Sequence, residues 1–133
     1  YVSLEFILQR HNLLTEVTYP VTCITDKNTR TITNAIGTFW YRSLRRQLYM
    51  GFSIAEYYGI RYGYASPAKA LFDYLYLRPI PPSYRSTATN LAGELRLNMG
   101  ELDHASWDEL AGLVAFSSSS KLKAVYKNLE AHR

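Results

Sequence analysis

The sequence predicts an α+β domain: an N-terminal helix, an antiparallel meandering sheet, a central buried helix and C-terminal helices. Three observations carry this. Residues 18–65 are dense in β-branched and aromatic side chains, interrupted by short turn signals such as Asn34-Ala35-Ile36-Gly37. Ser66-Pro67 then opens a stretch, Ala68–Leu77, that is apolar on almost every side. Finally, the strands form one block and the helices another, which favours α+β over an alternating α/β arrangement. With 133 residues, 47% hydrophobic and 20% charged, the chain has the apolar content to build one core, and a single domain over residues 1–133 is expected.

Leu4, Ile7, Leu8 and His11 fall at helical spacing behind Ser3, which is placed to cap them. A helix beginning so close to Tyr1 is expected of a piece cut from a longer chain. Strands follow at Thr18–Thr25, where Pro20 is tolerable near the start, and at Asn28–Thr33. The strand Thr38–Leu44 puts Phe39 and Tyr41 on one face and Trp40 and Arg42 on the other. Tyr49–Glu56 and Ile60–Ala65 flank a turn at Tyr58-Gly59. In the helix after Ser66-Pro67, only Lys69, Asp73 and Tyr76 form a polar stripe, so the helix must be covered on most sides and belongs at the centre. Pro79, Pro81 and Pro82 stop it. Three more helices are expected. One contains Ala88, Leu91, Ala92 and Leu95 and ends near Gly100; one is opened by the capping box Ser106-Trp107-Asp108-Glu109; the last buries Leu122, Val125, Tyr126 and Leu129.

Several chemistries lack their residues. A single cysteine, Cys23, excludes an intramolecular disulfide and a cysteine-based zinc site, and a reducing, cytoplasmic setting is expected. No apolar run is long enough to span a bilayer, so no membrane contact is expected. No Asp or Glu stands two positions before a Lys, as a restriction-type nuclease centre requires, and the glycines match neither phosphate-cradling spacing. There is no Gly-x-Ser-x-Gly elbow, and His11, His104 and His132 lie near element ends. No catalytic, metal-binding or cofactor-binding residue is assigned, and the chain is expected not to be an enzyme.

The positive charge is more informative. The chain carries a formal +4, and Lys27, Arg30, Arg42, Arg45 and Arg46 cluster against the single acid Asp26. If the strands around the Asn34–Gly37 turn pair, Arg30 and Arg42 are expected side by side, with Arg45 and Arg46 extending the same edge among Trp40, Tyr41 and Tyr49. Acid gathers later, at Glu94, Glu101, Asp103, Asp108 and Glu109, so a bipolar molecule is expected. A basic ribbon interleaved with aromatics can meet a phosphate backbone or can simply solvate a sheet face.

The order of segments is more specific than any one of them. Tyr1-Val2-Ser3-Leu4-Glu5, Val21-Thr22-Cys23-Ile24-Thr25, Thr29-Arg30 and Gly37-Thr38-Phe39-Trp40-Tyr41-Arg42 are followed by Leu48-Tyr49-Met50-Gly51-Phe52 and by Ala65-Ser66-Pro67-Ala68-Lys69-Ala70-Leu71-Phe72-Asp73-Tyr74-Leu75-Tyr76-Leu77. In this order they resemble the C-terminal domain of AbiE-type antitoxins, the transcriptional-regulator half of type IV toxin–antitoxin systems associated with abortive phage infection. The resemblance implies an N-terminal winged helix-turn-helix outside this chain that reads promoter DNA. It also implies a nucleotidyltransferase-like toxin as functional counterpart, opposed without a stable complex. Carried over, Lys27, Arg30, Arg42, Arg45 and Arg46 become the phosphate-facing candidates, and Lys69 and Asp73 the polar pair of the helix motif. The family often has a glutamate where this chain has Ala68; its absence favours a structural helix over a reactive site. Two other readings stay open: a nuclease-like enzyme on a related α+β scaffold, and a protein-interaction domain that does not bind DNA.

Overall fold

The sheet is assembled around Tyr1–Ser3. In the computed structural model, which describes residues 1–15, 20–57 and 59–133, Val2 pairs antiparallel with Cys23 on one side and parallel with Tyr64 on the other. Ser3 N donates to Thr22 O at 3.0 Å and Ile24 N to Tyr1 O at 2.8 Å; Val2 N donates to Gly63 O and Ala65 N to Val2 O, each at 2.8 Å. This short segment therefore joins a three-stranded sheet, β1 (Val21–Thr25), β2 (Arg30–Thr33) and β3 (Thr38–Ser43), to a hairpin, β4 (Phe52–Tyr57) and β5 (Ile60–Ala65).

The class is α+β, as the sequence predicts, but the sheet is not a simple antiparallel meander. Its order is β1-β3-β2, with β3 antiparallel to β2 and parallel to β1. Consecutive hairpin pairing holds only for β2–β3 and β4–β5. The reason lies in the side chains. Arg30, Thr31 and Thr33 of β2 are exposed and suit an edge, while β1, the most buried of the three strands, is paired on its other side by Val2, which leaves the place between them to β3. The expected strand start at Thr18 and Tyr19, and Tyr58 of the expected turn, lie outside the described residues.

Helix α1 (Leu4–Arg10) leaves the sheet abruptly, with Leu4 at φ 58°, and buries Leu4, Ile7 and Leu8. A leucine in left-handed backbone costs roughly 1 kcal/mol or more, offset here by the burial of its side chain. Helix α2 (Pro67–Leu77) begins as expected: Ser66 Oγ accepts from Lys69 N at 3.1 Å and Pro67 occupies the first turn. Every residue from Ala68 to Leu75 is buried, so α2 is the central rod.

The later helices depart from expectation at their ends. The segment around Leu91 is helical only over Leu91–Glu94 (α3), because Arg96 turns to φ 57° and Met99–Glu101 forms a separate tight turn. Helix α4 (His104–Ser117) starts earlier than the Ser106 box, since Asp103 caps it by accepting from Ser106 N at 2.8 Å. An aspartate caps as well as a serine and lets the helix gain most of a turn. Helix α5 (Ser120–Ala131) buries Asn128 along with Leu122, Val125 and Leu129. That amide is a clamp: its Nδ2 donates to Tyr84 O, Ser86 O and Thr89 O, and its Oδ1 accepts from Leu91 N, fixing the connector between α2 and α3. One hydrophobic cluster runs from Tyr1 through α2 to Leu129. Among the described residues, no helix is long and apolar enough to cross a membrane.

Leu71 and Leu75 are 0% and 1% exposed at the centre of this cluster. Leu71→Ala or Leu75→Ala is expected to destabilise the domain by about 2–5 kcal/mol. The check is urea unfolding; midpoints equal to the parent's would show that α2 is not central.

Candidate functional site

Three segments far apart in the chain meet at one buried cluster on α2. Lys69 and Asp73, one helical turn apart, face the same way, and both side chains are fully buried. The Asp73 carboxylate is surrounded by donors. Oδ1 accepts from Lys69 Nζ, while Oδ2 accepts from Ser3 Oγ at 2.7 Å and from Tyr1 OH at 2.9 Å. The sequence predicts Ser3 as the cap of α1, but its hydroxyl makes no cap bond and turns to Asp73 instead. A buried carboxylate binds a hydroxyl more strongly than a helix end does.

The Lys69 ammonium lies over the rings of Phe72 and Tyr1, 4.9 and 5.7 Å from their centroids. Its aliphatic stem crosses Gly51, which sits at φ +77°; a Cβ there would stand 3.0 Å from Lys69 Cγ and 3.1 Å from Cδ. Gly51 is thus required twice, for its backbone and for the space above it. Tyr1 stacks on Phe52 at 4.6 Å and tilts against Tyr49 at 5.1 Å, closing an aromatic roof over the pair.

Burial pushes the Lys69 ammonium below the usual lysine value and the Asp73 carboxyl above the usual aspartate value, while their mutual attraction pulls both back. Burial also raises the Tyr1 phenol, with the Asp73 carboxylate beside it adding to the shift, so Tyr1 serves as a proton donor. With both charged side chains sealed from solvent, the geometry suits a fixed tie between α2 and Tyr1–Ser3. Sequence reasoning finds the Lys69–Asp73 pair but misses Tyr1, Ser3 and Gly51 as its partners.

The arginines are divided. Arg30 stands opposite Tyr41 in the β2–β3 register, and its guanidinium lies 5.2 Å from that ring centroid. Arg42, the next residue on β3, points to the other face. There it borders a small cleft of about 160 Å³ with Leu4, Glu5, Tyr74, Leu77, Arg78 and Pro79. The expectation that Arg30 and Arg42 lie side by side is therefore corrected: the register pairs Arg30 with Tyr41, and strand alternation sends its neighbour Arg42 to the opposite side.

The remaining cations do converge. β1 and β3 run parallel and end together, and β2 begins at that end, so Lys27, Arg30, Arg45 and Arg46 collect at one end of the three-stranded sheet. All are exposed, and Arg46 pairs loosely with Asp26 at 3.6 Å. Such a surface pair stabilises little and leaves the guanidinium available.

Cys23 is buried on β1, and burial pushes its thiol up to about 11. Among the described residues, no group of three or more His, Cys, Asp or Glu is placed to hold a metal ion. No protein-family model matches the chain, and no curated protein or solved structure gives a significant match.

Asp73→Asn and Lys69→Met are each expected to cost about 3–5 kcal/mol, because each leaves a buried charge without its counter-charge. The double variant should lose clearly less than the sum of the two, measured by urea unfolding; strict additivity would refute the coupling. Cys23 should resist iodoacetamide at pH 8 in the native protein and react readily in denaturant. Equal rates in the two conditions would show an open thiol.

Proposed function

We propose that this chain is the C-terminal domain of an AbiE-type antitoxin and transcriptional regulator, acting in the cytoplasm of a bacterium or archaeon and not as an enzyme. The observation that carries the reading is the meeting of three of the resembling segments at one place. Tyr1-Val2-Ser3, Tyr49-Met50-Gly51-Phe52 and Ser66–Asp73 pack together through the Lys69–Asp73 cluster. Segments that share one buried site constrain one another, so their joint presence favours a common fold over chance likeness.

In this reading the domain's DNA contact is electrostatic. Lys27, Arg30, Arg45 and Arg46 at the sheet end face phosphates, while Arg42 is turned toward the helices beside Arg78. Phosphate neutralisation releases counterions and gives affinity without base reading, which suits a domain that assists a separate sequence reader. The toxin, a nucleotidyltransferase-like protein, is opposed without a stable complex.

The test has two arms. Co-expression with a nucleotidyltransferase-like toxin encoded beside it should restore growth; continued arrest would count against the antitoxin assignment. For the DNA contact, binding to a labelled duplex should weaken steeply with salt. Reversing Arg30, Arg45 and Arg46 to Glu should flatten the salt slope by roughly one for each phosphate no longer neutralised, with an unchanged unfolding midpoint. Arg42→Glu alone should change it far less. An unaltered slope in the triple variant would reduce the basic end to a solvated surface.

A further inference from the structure

A cleft of about 410 Å³ lies between α1 and the outer face of the β4–β5 hairpin, lined by Val2, Phe6, Ile7, Arg10, His11, Ala55, Tyr62 and Tyr64. Its volume falls within the range of small-ligand sites. Tyr62 and Tyr64 are alternate residues of β5 and so share a face, their ring centroids 6.2 Å apart. They stay 41% and 37% exposed, a large apolar area for a domain that seals Tyr1 and Tyr74 in its core. Ala55, the cross-strand partner of Tyr62, is small and leaves that ring uncovered.

The end of α1 brings cationic and hydrogen-bonding groups to the rim: Arg10, whose guanidinium lies 5.8 Å over Phe6, and His11, both exposed. Among the described lining residues there is no carboxylate. Aromatic faces flanked by a guanidinium and an imidazole complement a ligand that is flat and apolar on one part and anionic on another.

We propose that this cleft binds single-stranded nucleic acid, with a base stacked on Tyr62 or Tyr64 and the adjoining phosphate held by Arg10 and His11. Base–aromatic stacking needs a free base face, which the interior of a duplex does not offer, so a single strand fits this cleft where a duplex does not. The site lies on the hairpin side of the molecule and uses none of the residues of the basic sheet end. It is separate from the duplex contact at that end.

The experiment is a fluorescence anisotropy titration with labelled oligothymidylate of roughly ten nucleotides, run beside a duplex of equal length. Tyr62→Ala and Tyr64→Ala should each weaken oligothymidylate binding by about tenfold while duplex binding and the urea midpoint stay at the parent's values. Tyr64→Phe, which keeps the ring, should bind the single strand clearly better than Tyr64→Ala, and Arg10→Ala should reduce the salt dependence. Reversing Arg45 and Arg46 should affect the duplex arm and spare the single-strand arm, so the two readings fail separately. The proposal is overturned if oligothymidylate does not bind, if the alanine variants bind it as the parent does, or if polyglutamate displaces it as well as a second oligonucleotide does. The last result would reduce the cleft to a charge contact.

Discussion

The buried Lys69–Asp73 pair is the interaction on which the rest of the structure depends. A carboxylate and an ammonium withdrawn from water carry a desolvation cost of several kcal/mol each, and only close pairing with full hydrogen bonding makes them tolerable. Here that condition is met by donors from outside the helix: Ser3 and Tyr1 complete the carboxylate, and the rings of Phe72 and Tyr1 face the ammonium. The requirement works as a positional constraint. Tyr1–Ser3 must lie against α2, and once there the segment pairs with both β1 and β5 and makes one sheet of two.

Around this tie the two halves of the molecule differ in how far they are closed. The helical half is closed by its own contacts, with α2 covered by α1 and α4 and the connector after α2 clamped by Asn128. The sheet half is left open: a cationic end at Lys27, Arg30, Arg45 and Arg46, and a tyrosine-lined cleft against α1. Direct parallel pairing of β1 with β3 tightens the cationic end, because adjacent strands that end together deliver their following residues to neighbouring positions. A pure meander would end β1 and β3 on the same side too, but with β2 between them; direct pairing brings Lys27 and Arg45 one strand closer.

The sequence is most legible where the local signals are strong. Ser66-Pro67 marks the start of α2, and its nearly unbroken apolar run requires burial on all sides, which the fold provides. Helix ends are less legible, because capping residues compete: Asp103 displaces Ser106 as the cap of α4, and Ser3 gives its hydroxyl to Asp73 rather than to α1. The basic residues are legible as a set but not as a surface. Which of them share a face depends on strand register, and a register of Arg30 against Tyr41 or against Arg42 places the same residue types on opposite sides.

By itself the sequence determined the α+β class, the central helix, the candidate cations and the polar pair on α2, since each follows from periodicity, capping or composition within a short window. Tertiary structure alone decided the β1-β3-β2 order, the division of the arginines and the identity of the groups that complete Asp73. Those outcomes depend on residues as much as 72 positions apart, and hydrogen bonding between such distant groups leaves no pattern in either local segment.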